Sequence, residues 1–511
     1  MASQNTTPSY HKQPNFLSSS DQLKTCTKLF YNFVISKSVY LFIIPAILCA
    51  SIHHLSALYF DQTTITDQLY KYYANGRCSF MVGFVSLSSL LMGTIYILTK
   101  IVRRSRKVYL VDFACYKHDP SFLISRDTIC QRLETVVSPE SIEFCRKVME
   151  KSGVSENAFV YGWNEFPPKS GFDCGRGEAE TVICGAVGDL MAKTGVNPRD
   201  IGVVIVNIST FNPVPSLSAM IVNRYKLRED VLSYSLGGMG CSAGVIAVDL
   251  AKWLLQVRPN TYALVMSLES PTSSYYVGDD RSKLISNCLF RMGGVALLLS
   301  NRSSDHQISK YELKHTVRTH HGADDKAYTC ARQEVDNEGK LGISISKDLI
   351  GVAGKALKTN IAALGPLVLP ISEQLLFLAN YMVRKLFKIE GISPYVPDFK
   401  LAFNHFCIHA GGKAVLNEVE KNLNLTKWQI EPSKMTLYRY SNTSSSSIWY
   451  ELAYVEAKGR IREGDRIWQI AFGTGFKCGS AVWRALRTID PAKADNPWSD
   501  VIDQFPINIS N

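Results

Sequence analysis

The sequence contains no paired cysteine motif. Thirteen cysteines occur at irregular spacing among 511 residues, and no two of them form a CxxC pair. This spacing argues against a disulfide framework and against a zinc site of the CxxC type. Reduced thiols are typical of a cytosolic protein, so we expect the folded part of the chain to face the cytosol.

Motifs that bind nucleic acid are also missing. The formal net charge is +11, but no RRM, zinc-finger or homeodomain signature is present, and the basic residues are spread along the chain. About half of the residues are hydrophobic (46%), so the chain is globular and can bury a large core.

A cleavable signal peptide is not expected either. The first apolar run begins behind a polar tail, residues 1–36, that is rich in Ser, Thr and Asn. A signal peptide has its apolar stretch much closer to the amino terminus. We therefore expect the apolar runs themselves to direct the chain to a membrane.

Two apolar runs occupy Ser38–Phe60 and Phe80–Val102. Each is long enough to cross a bilayer core of roughly 30 Å. The alternative is a pair of buried core helices, which fits less well because neither run has a polar face. The sequence predicts two transmembrane helices within residues 37–103.

The charges around these runs predict their orientation. Lys24, Lys28 and Lys37 precede the first run, Arg103–Lys107 follows the second, and the connecting segment Asp61–Ser79 is mixed in charge. Basic flanks favour the cytosolic side. We expect a membrane hairpin with a short lumenal loop and a large cytosolic body.

From Val108 onward, short apolar strands alternate with amphipathic segments, a pattern typical of an α/β protein. The expected strands begin at Ile201, Tyr262, Gly294, Leu401 and Ile467. The expected helices are Glu178–Lys193, Ser242–Gln256, Lys413–Asn424 and Ser446–Lys458.

A third hydrophobic run covers Ile361–Val383. Pro366, Pro370, Glu373 and Gln374 would make a bilayer interior costly for it. We interpret the run as a buried or membrane-surface element that admits a lipid, rather than as a third span.

Cys241 follows a glycine-rich turn, "LGGMGC", and directly precedes an apolar helical pattern. The thiol is therefore expected at a helix N-terminus, where backbone N–H groups and the helix dipole favour a thiolate. Neighbouring glycines allow a sharp turn and close approach of a substrate. The alternative is a small packed cysteine in a strand-to-helix turn.

A nucleophilic thiolate needs a proton acceptor and donors for developing negative charge. His405 and His409 lie in "NHFCIHAGGK", and His409 stands in a glycine-flanked turn like that of Cys241. The H-x-x-x-H pair does not favour zinc, because Phe406 replaces the Glu of a zincin and a strand separates the two side chains. An isolated histidine is otherwise most often structural.

Two further segments are candidates. Asn442 lies in the polar stretch "YRYSNTSSSS", where a simple N-cap or turn residue is the alternative. Gly473 and Gly475 form a G-x-G turn whose N–H groups suit a carbonyl oxygen, although a plain hairpin explains them equally well. "NTS" at Asn442 is also an N-glycosylation acceptor, which is compatible with a catalytic Asn only if the body is cytosolic.

Together these segments resemble the plant 3-ketoacyl-CoA synthases of the fatty-acid elongase. The blocks that carry the resemblance occur in the family's order across roughly residues 108–505, and they include "VYLVDFACYK", "LGGMGCSAG", "SNCLFRMGG", "RTHHGADDKAY", "FNHFCIHAGG", "YRYSNTSSSSIWYELAY" and "IAFGTGFKCGSAVWRAL". The hairpin in front of them is also a feature of that family.

The resemblance implies an α/β, thiolase-like fold of five layers and two similar halves, residues 104–395 with the nucleophile and residues 396–511 with the His and Asn. The family's catalytic residues fall on Cys241, His409 and Asn442. His320 and His405 match histidines that we interpret as supporting the pocket. The oxyanion hole is expected from the N–H groups of Cys241 and of the turn Gly473, Thr474 and Gly475.

The activity implied is a decarboxylative condensation. Cys241 takes the acyl group of a long or very-long-chain acyl-CoA, and malonyl-CoA then extends it by two carbons. No metal or other cofactor is expected. The resemblance further implies an endoplasmic reticulum membrane location, a homodimer and partners among the other elongase enzymes.

Two departures from the family pattern stand near the site. Ser441 replaces the Gly that usually precedes the active Asn, and the stretch from Ser270 to Tyr276 differs from one that commonly contains Asn and Trp. These departures leave open a retired synthase that serves as an elongase scaffold. A polyketide synthase of the chalcone-synthase type is a second alternative, because it uses the same Cys, His and Asn chemistry.

Overall fold

The computed structural model describes residues 106–162, 171–386, 393, 395–493 and 495–508. The predicted tail, residues 1–36, and the predicted transmembrane helices, residues 37–103, lie outside the described residues. Among the helices described, none is both long enough and apolar enough to cross a membrane.

Thirteen strands occur in the described residues. They are β1 (Tyr109–Cys115), β2 (Leu123–Ser125), β3 (Asn157–Phe159), β4 (Ile201–Ile208), β5 (Leu232–Gly237), β6 (Tyr262–Glu269), β7 (Gly293–Ser300), β8 (Tyr311–His320), β9 (Ala331–Val335), β10 (Leu341–Ile345), β11 (His405–Ile408), β12 (Arg466–Gly473) and β13 (Lys477–Ala485). Nine of them form one sheet in the order β11-β12-β13-β8-β1-β7-β6-β4-β5. The pairs β2–β3 and β9–β10 form two small antiparallel sheets.

The same part of the chain contains twelve α-helices. They are α1 (Arg126–Leu133), α2 (Pro139–Lys151), α3 (Phe172–Thr194), α4 (Leu217–Tyr225), α5 (Ala243–Val257), α6 (Arg281–Leu289), α7 (Asp325–Thr329), α8 (Leu349–Val368), α9 (Ile371–Leu386), α10 (Lys413–Leu423), α11 (Lys427–Tyr440) and α12 (Ser447–Ala457).

The nine-stranded sheet consists of two groups with related pairing. In one group β5, β4 and β6 are parallel, and β7 and β1 continue antiparallel to their neighbours. In the other group β11 and β12 are parallel, and β13 and β8 continue antiparallel. Among the strands that the structure describes, only the short β1–β8 pairing, Tyr109 to Glu312 and Leu110 to Tyr311, joins the two groups.

Helices α5 and α12 lie between the two groups of strands, because each packs against strands of both. Every residue of α12 is buried, as expected for a central helix. Helix α3 covers the outer face of β1, β6 and β7, and α8 covers the outer face of β8 and β13. The layers are therefore α3, the first group of strands, the central helices α5 and α12, the second group of strands, and α8. This order confirms the predicted α/β fold.

The predicted elements agree closely with the structure where the sequence pattern is strong. Strands β4, β6, β7 and β12 and helices α5, α10 and α12 begin within one residue of their expected positions. The strand expected from Leu401 is shorter and begins at His405, because Phe399–Leu401 forms a 3₁₀ turn that Asp398 caps through the backbone N–H of Lys400.

The third hydrophobic run is divided between α8 and α9, with Pro370 at the break. Ile361, Leu364 and Val368 are buried on α8. Leu367 at the end of α8 and the neighbouring Ile371, Leu375 and Leu376 on α9 are exposed. The run is therefore partly buried and partly at the surface, as two helices rather than one continuous span.

Candidate active site

Cys241 lies in the turn between β5 and α5. Gly238 and Gly240 adopt positive φ angles of 64° and 68°, a region that L-residues other than Gly rarely occupy. The N–H of Ala243, the first residue of α5, donates to the carbonyl of Gly240 at 2.9 Å. The sulfur therefore stands at the helix N-terminus, as the sequence predicted.

The cavity beside Cys241 has a volume of about 250 Å³. Its walls come from the ends of β4 and β6, from α6, from the β9–β10 hairpin and from two late turns of the chain. The lining residues are Ser209, Thr210, Gly238, Gly240, Cys241, Glu269, Pro271, Ser274, Tyr275, Ser286, Asn287, Phe290, Ala331, Arg332, Gln333, Ile343, Ser444 and Thr474. The thiol is thus on a cavity wall and is not sealed in the core.

Cys241 is a thiol in the resting site. Burial raises its pKa to about 12, a hydrogen bond with Ser444 lowers it, and the charge of Glu269 raises it. The sequence led us to expect a thiolate stabilised by the helix N-terminus. The structure differs because the loss of hydration on burial outweighs the stabilising hydrogen bonds, so attack on a substrate requires a proton acceptor.

His409 directly follows β11 and is fixed by its backbone, because its N–H donates to the carbonyl of Ile470 on β12 at 2.9 Å. The side chain is buried, and Nδ1 lies 2.8 Å from the hydroxyl of Ser447. Burial lowers the pKa of His409 to about 4. The imidazole is therefore neutral at physiological pH and can accept a proton.

Asn442 follows α11 and lies beside the cavity. Its backbone N–H donates to Leu289 at 3.0 Å, and its carbonyl accepts the N–H of Arg291 at 3.0 Å, which places it next to the lining residue Phe290. Its Oδ1 accepts the N–H of Ser444 at 2.8 Å. Its Nδ2 points to the carbonyl of Gly411 at 3.5 Å.

Hydrogen bonds link the segments that carry the three predicted residues. Ser444 lines the cavity with Cys241, and its backbone N–H donates to Asn442. Asn442 in turn reaches Gly411, whose N–H donates to the carbonyl of His409 at 2.7 Å. Cys241 is thus on the cavity wall, whereas Asn442 and His409 are not among the described residues that line it.

The departure at Ser441 has a visible conformational consequence. Ser441 has φ 58° and ψ −150°, a conformation that favours Gly and is strained for Ser. A Gly, which usually precedes the active Asn in the family that the sequence resembles, suits this backbone.

The second departure includes Ser270, whose hydroxyl donates to the buried carboxyl of Glu178.

The turn from Gly473 to Gly475 joins β12 to β13, so it is a hairpin turn, and it also packs on the Cys241 loop. A Cβ at Gly473 would lie 2.3 Å from the Ser242 hydroxyl, and one at Gly240 would lie 2.4 Å from the backbone N of Thr474. This close approach puts Cys241 and Thr474 on neighbouring segments. Whether their N–H groups form the expected oxyanion hole stays a prediction.

His320 and His405, which were expected to support the pocket, do not lie on the described part of the cavity wall. His320 is exposed at the end of β8 and accepts the N–H of Gly322 at 2.9 Å. His405 is buried at the opposite end of β11 from His409, about 13 Å away along the strand, and its Nε2 lies 2.9 Å from Asp465. In the described part of the chain, neither imidazole lines the cavity with Cys241.

Three polar residues near the site were not identified from the sequence. Ser444 and Ser447 belong to the serine run after Asn442, which was interpreted as a polar loop and helix start. Glu269 ends β6 and is only 2% exposed. A buried charge at the end of an otherwise apolar strand was the available signal for Glu269.

Glu269 is a charge on the wall of the Cys241 cavity. Its Oε1 accepts the N–H and the hydroxyl of Thr210 at 3.2 and 2.9 Å. Its Oε2 is buried without a hydrogen-bond partner among the described residues. This carboxylate opposes formation of the thiolate at Cys241.

Replacement of Glu269 by Gln keeps the acceptor for Thr210 and removes the charge. We expect a lower pKa for Cys241 and roughly threefold or faster alkylation by iodoacetamide at pH 8, since a change of one pKa unit alters the thiolate fraction tenfold. Peptide mass spectrometry of the Cys241 adduct measures the rate. Glu178→Gln, in a buried carboxyl that does not line this cavity, is the control, and an unchanged rate in Glu269→Gln contradicts the prediction.

Family models match two parts of the chain, and one solved structure shares its fold. Residues 100–386 match the family described as FAE1/Type III polyketide synthase-like protein, and residues 402–485 match 3-Oxoacyl-[acyl-carrier-protein (ACP)] synthase III C terminal. A fungal type III polyketide synthase, ORAS, has a similar fold, with a TM-score of 0.57 and 18% sequence identity over 74% of this chain and 99% of that one.

Similar sequences cover nearly the whole chain. 3-Ketoacyl-CoA synthase 2 of Arabidopsis thaliana is 54% identical over 98% of this chain and 94% of its own length. 3-Ketoacyl-CoA synthase 11 of the same plant is 54% identical over 94% of this chain and 93% of its own length. The chain therefore belongs to the 3-ketoacyl-CoA synthase family.

Proposed function

We propose that the protein joins a long or very-long-chain acyl-CoA to malonyl-CoA by decarboxylative condensation and releases a 3-ketoacyl-CoA that is two carbons longer. The observation that carries the proposal is the position of Cys241 on the cavity wall together with Ser444, whose backbone is linked by hydrogen bonds to Asn442 and through Gly411 to the His409 segment. A candidate nucleophile, a candidate base and a candidate amide donor therefore belong to linked segments at one end of a cavity.

Acylation begins with a thiol and a neutral imidazole. His409 takes the proton of Cys241 while the sulfur attacks the thioester carbon of the acyl-CoA. The N–H groups of Cys241 and Thr474 hold the negative oxygen of the tetrahedral intermediate. The intermediate collapses with departure of the CoA sulfur, and the acyl group remains on Cys241.

Condensation requires stabilisation of an enolate. His409 and the Nδ2 amide of Asn442 donate hydrogen bonds to the thioester oxygen of malonyl-CoA as its carboxylate leaves as carbon dioxide. The new carbanion attacks the acyl carbon on Cys241, and the sulfur departs and regains a proton. Loss of carbon dioxide drives the reaction, so these steps require no redox cofactor and no metal ion.

The cavity is the proposed site of the acyl chain next to the thioester. It runs from Cys241 past Tyr275 and Phe290 to Ile343 of β10. Aromatic and aliphatic side chains at these places suit a hydrocarbon. Arg332 and Gln333 also line the cavity, and they belong to the β9–β10 hairpin, a small sheet separate from the main one.

A product assay tests the proposed reaction. The purified full-length protein in detergent micelles is given a saturated acyl-CoA and labelled malonyl-CoA. We expect one labelled two-carbon unit per product. Several condensations with cyclisation would instead support the polyketide synthase alternative, and no condensation with an intact fold would support the scaffold alternative.

Residues 37–103 are proposed to anchor this body to the endoplasmic reticulum membrane, with the body in the cytosol. The two apolar runs support the anchor, and very-long-chain acyl-CoAs also partition into bilayers. Asn442 is only 3% exposed, so a glycan on its "NTS" sequence is incompatible with the folded site. Protease treatment of sealed microsomes should digest the body, and its protection would contradict the proposed orientation.

We also propose a homodimer formed through β5. This strand ends the nine-stranded sheet and pairs on one side only, with β4, in the structure as described. Ser233, Tyr234 and Ser235 are exposed on consecutive positions, so both faces of the strand are open. An exposed edge strand of this length normally pairs or is covered. Assembly with the reductases that consume a 3-ketoacyl-CoA is a further expectation of the proposed function.

Tyr234→Glu tests the dimer because the two-fold axis of a β5–β5 pair places the two new charges close together. We expect the dissociation constant to rise by roughly tenfold or more, equivalent to about 1.4 kcal/mol, as measured by light scattering. Tyr328→Glu changes another exposed tyrosine, on α7, and should leave the dimer intact. Equal masses for all three proteins would count against β5 as the interface.

A further inference from the structure

Ser447 is buried beside the imidazole of His409. It is the first residue of α12 and is fully enclosed. Its Oγ lies 2.8 Å from Nδ1 of His409. Because Gly411 lies on the other side, where a Cβ would be 3.2 Å from Nε2, the ring has one edge facing a hydroxyl and the other facing the turn that Asn442 contacts.

This placement decides which ring nitrogen reacts. A serine hydroxyl can accept a hydrogen bond from an N–H, and the partner of one ring nitrogen sets the protonation of the other. With the proton of Nδ1 donated to Oγ, the lone pair is on Nε2. Nε2 is then the nitrogen left to exchange a proton with a reacting group.

The environment makes a charged His409 unstable. Burial lowers its pKa to about 4, and the positive end of α12 also disfavours an imidazolium at this place. When Nε2 receives the Cys241 proton, both ring nitrogens carry hydrogen, and the acceptor on Ser447 keeps the Nδ1–H from being buried without a partner.

We infer that Ser447 is the positioning residue of the proton cycle, an inference that rests on the proposed function. The Sγ–H bond of Cys241 breaks as its proton bonds to Nε2, and the S–C bond to the acyl group forms. CoA leaves as a thiolate and takes a proton from water. The stored proton on Nε2 donates to the malonyl thioester oxygen during loss of carbon dioxide. When the carbon–carbon bond forms, the Cys241 thiolate leaves and takes that proton back.

Ser447→Ala removes the acceptor with little change of volume. We expect kcat to fall about 10- to 100-fold, the range typical when a partner that orients a reacting histidine is lost, with KM for both substrates nearly unchanged. Ser447→Thr keeps a hydroxyl and should restore most of kcat. Ser446→Ala is the matched control, because the Ser446 hydroxyl is equally buried and donates to Thr443 at 2.9 Å instead.

A pH profile separates this role from a structural one. Iodoacetamide alkylation of Cys241 at pH 7 depends on transfer of the thiol proton to His409, whereas towards pH 10 removal of that proton by hydroxide contributes increasingly. Ser447→Ala should lower the rate at pH 7 about tenfold or more, and its deficit relative to wild type should shrink towards pH 10. An equal deficit at both pH values indicates a distorted site, and an unchanged rate at pH 7 removes the acceptor role; either result overturns the inference.

Failure of the proposed function and failure of the Ser447 role give different results. If wild-type protein forms no acyl adduct on Cys241, the proposed function is wrong. If the adduct forms and Ser447→Ala condenses at the wild-type rate, only the role of Ser447 is wrong. If Ser447→Thr does not fit the buried site, its high-pH rate reveals this, and the comparison of Ser447→Ala with Ser446→Ala still decides.

Discussion

Replacement of Cys241 by Ala is expected to lower elongation by about 10³-fold or more, since loss of a covalent nucleophile removes the acyl-enzyme route altogether. The alanine protein should still release carbon dioxide from malonyl-CoA, but more slowly, because the Asn442 amide remains while the proton that Cys241 supplies to Nε2 of His409 is lost. Elongation is measured as labelled 3-ketoacyl-CoA, and decarboxylation as labelled carbon dioxide without an acyl-CoA starter.

Cys184→Ala is the matched control for this substitution. Cys184 is also partly buried, but it lies on α3, away from the cavity. It should leave both rates within about twofold, as expected for a small change outside the site. Normal elongation by the Cys241→Ala protein would show that the sulfur of Cys241 is not the acyl carrier.

Asn442→Ala should separate the two half-reactions. The amide is proposed to act on the enolate and not on the thiol, so acylation of Cys241 should stay within a few-fold of normal. Condensation should fall about 10²- to 10³-fold, the effect typical of losing one donor to a developing oxyanion. Release of CoA from acyl-CoA alone measures the first step, and labelled product measures the second.

Two further variants make this test specific. Asn442→Asp keeps the Oδ1 acceptor for the N–H of Ser444 and removes the Nδ2 donor, so it should also condense poorly with the loop intact. Asn422→Ala changes an asparagine on α10 that bonds to Glu418 and should behave as wild type. Loss of acylation with normal release of carbon dioxide from malonyl-CoA would mean that the assigned role of Asn442 is wrong.

The repeating patterns of the sequence predict the α/β architecture well. Strands β4, β6 and β7 are continuous apolar segments buried on both faces, and their residue types leave little choice of element. Helices α5 and α10 begin where glycine-rich turns end. The pairing of β8 with β13 instead of with a strand close to it in sequence depends on long-range packing, and no local pattern indicates it.

The three reacting residues were accessible from the sequence because each stands in a distinctive turn. Their environment was not, because burial and hydrogen bonding arise only when distant segments meet. The helix N-terminus suggested a thiolate at Cys241, yet enclosure by the cavity walls raises the pKa of that thiol to about 12. Ser447 likewise resembles an ordinary helix-start serine until β11 places His409 beside it.

The histidines illustrate the same limit. His405 and His409 are four residues apart, but a strand separates their side chains, and His405 pairs with Asp465 at the far end of β11. His320 lies at the surface near the Gly475 turn. A Cβ at Gly322 would be 2.4 Å from both the His320 ring and the carbonyl oxygen of Gly475. A supporting role for the two histidines remains a prediction. His320 could act on the pocket by positioning the Gly475 turn, and His405 by positioning β11.

Mapping the acyl group on the protein shows whether Cys241 is the acyl carrier. Wild-type protein is incubated with a long-chain acyl-CoA in the absence of malonyl-CoA, digested, and analysed by peptide mass spectrometry. We expect one thioester-linked acyl group, on the peptide that contains Cys241, and its loss when malonyl-CoA is added. An acyl group on a different residue, or an unmodified Cys241 in protein that elongates normally, would contradict it.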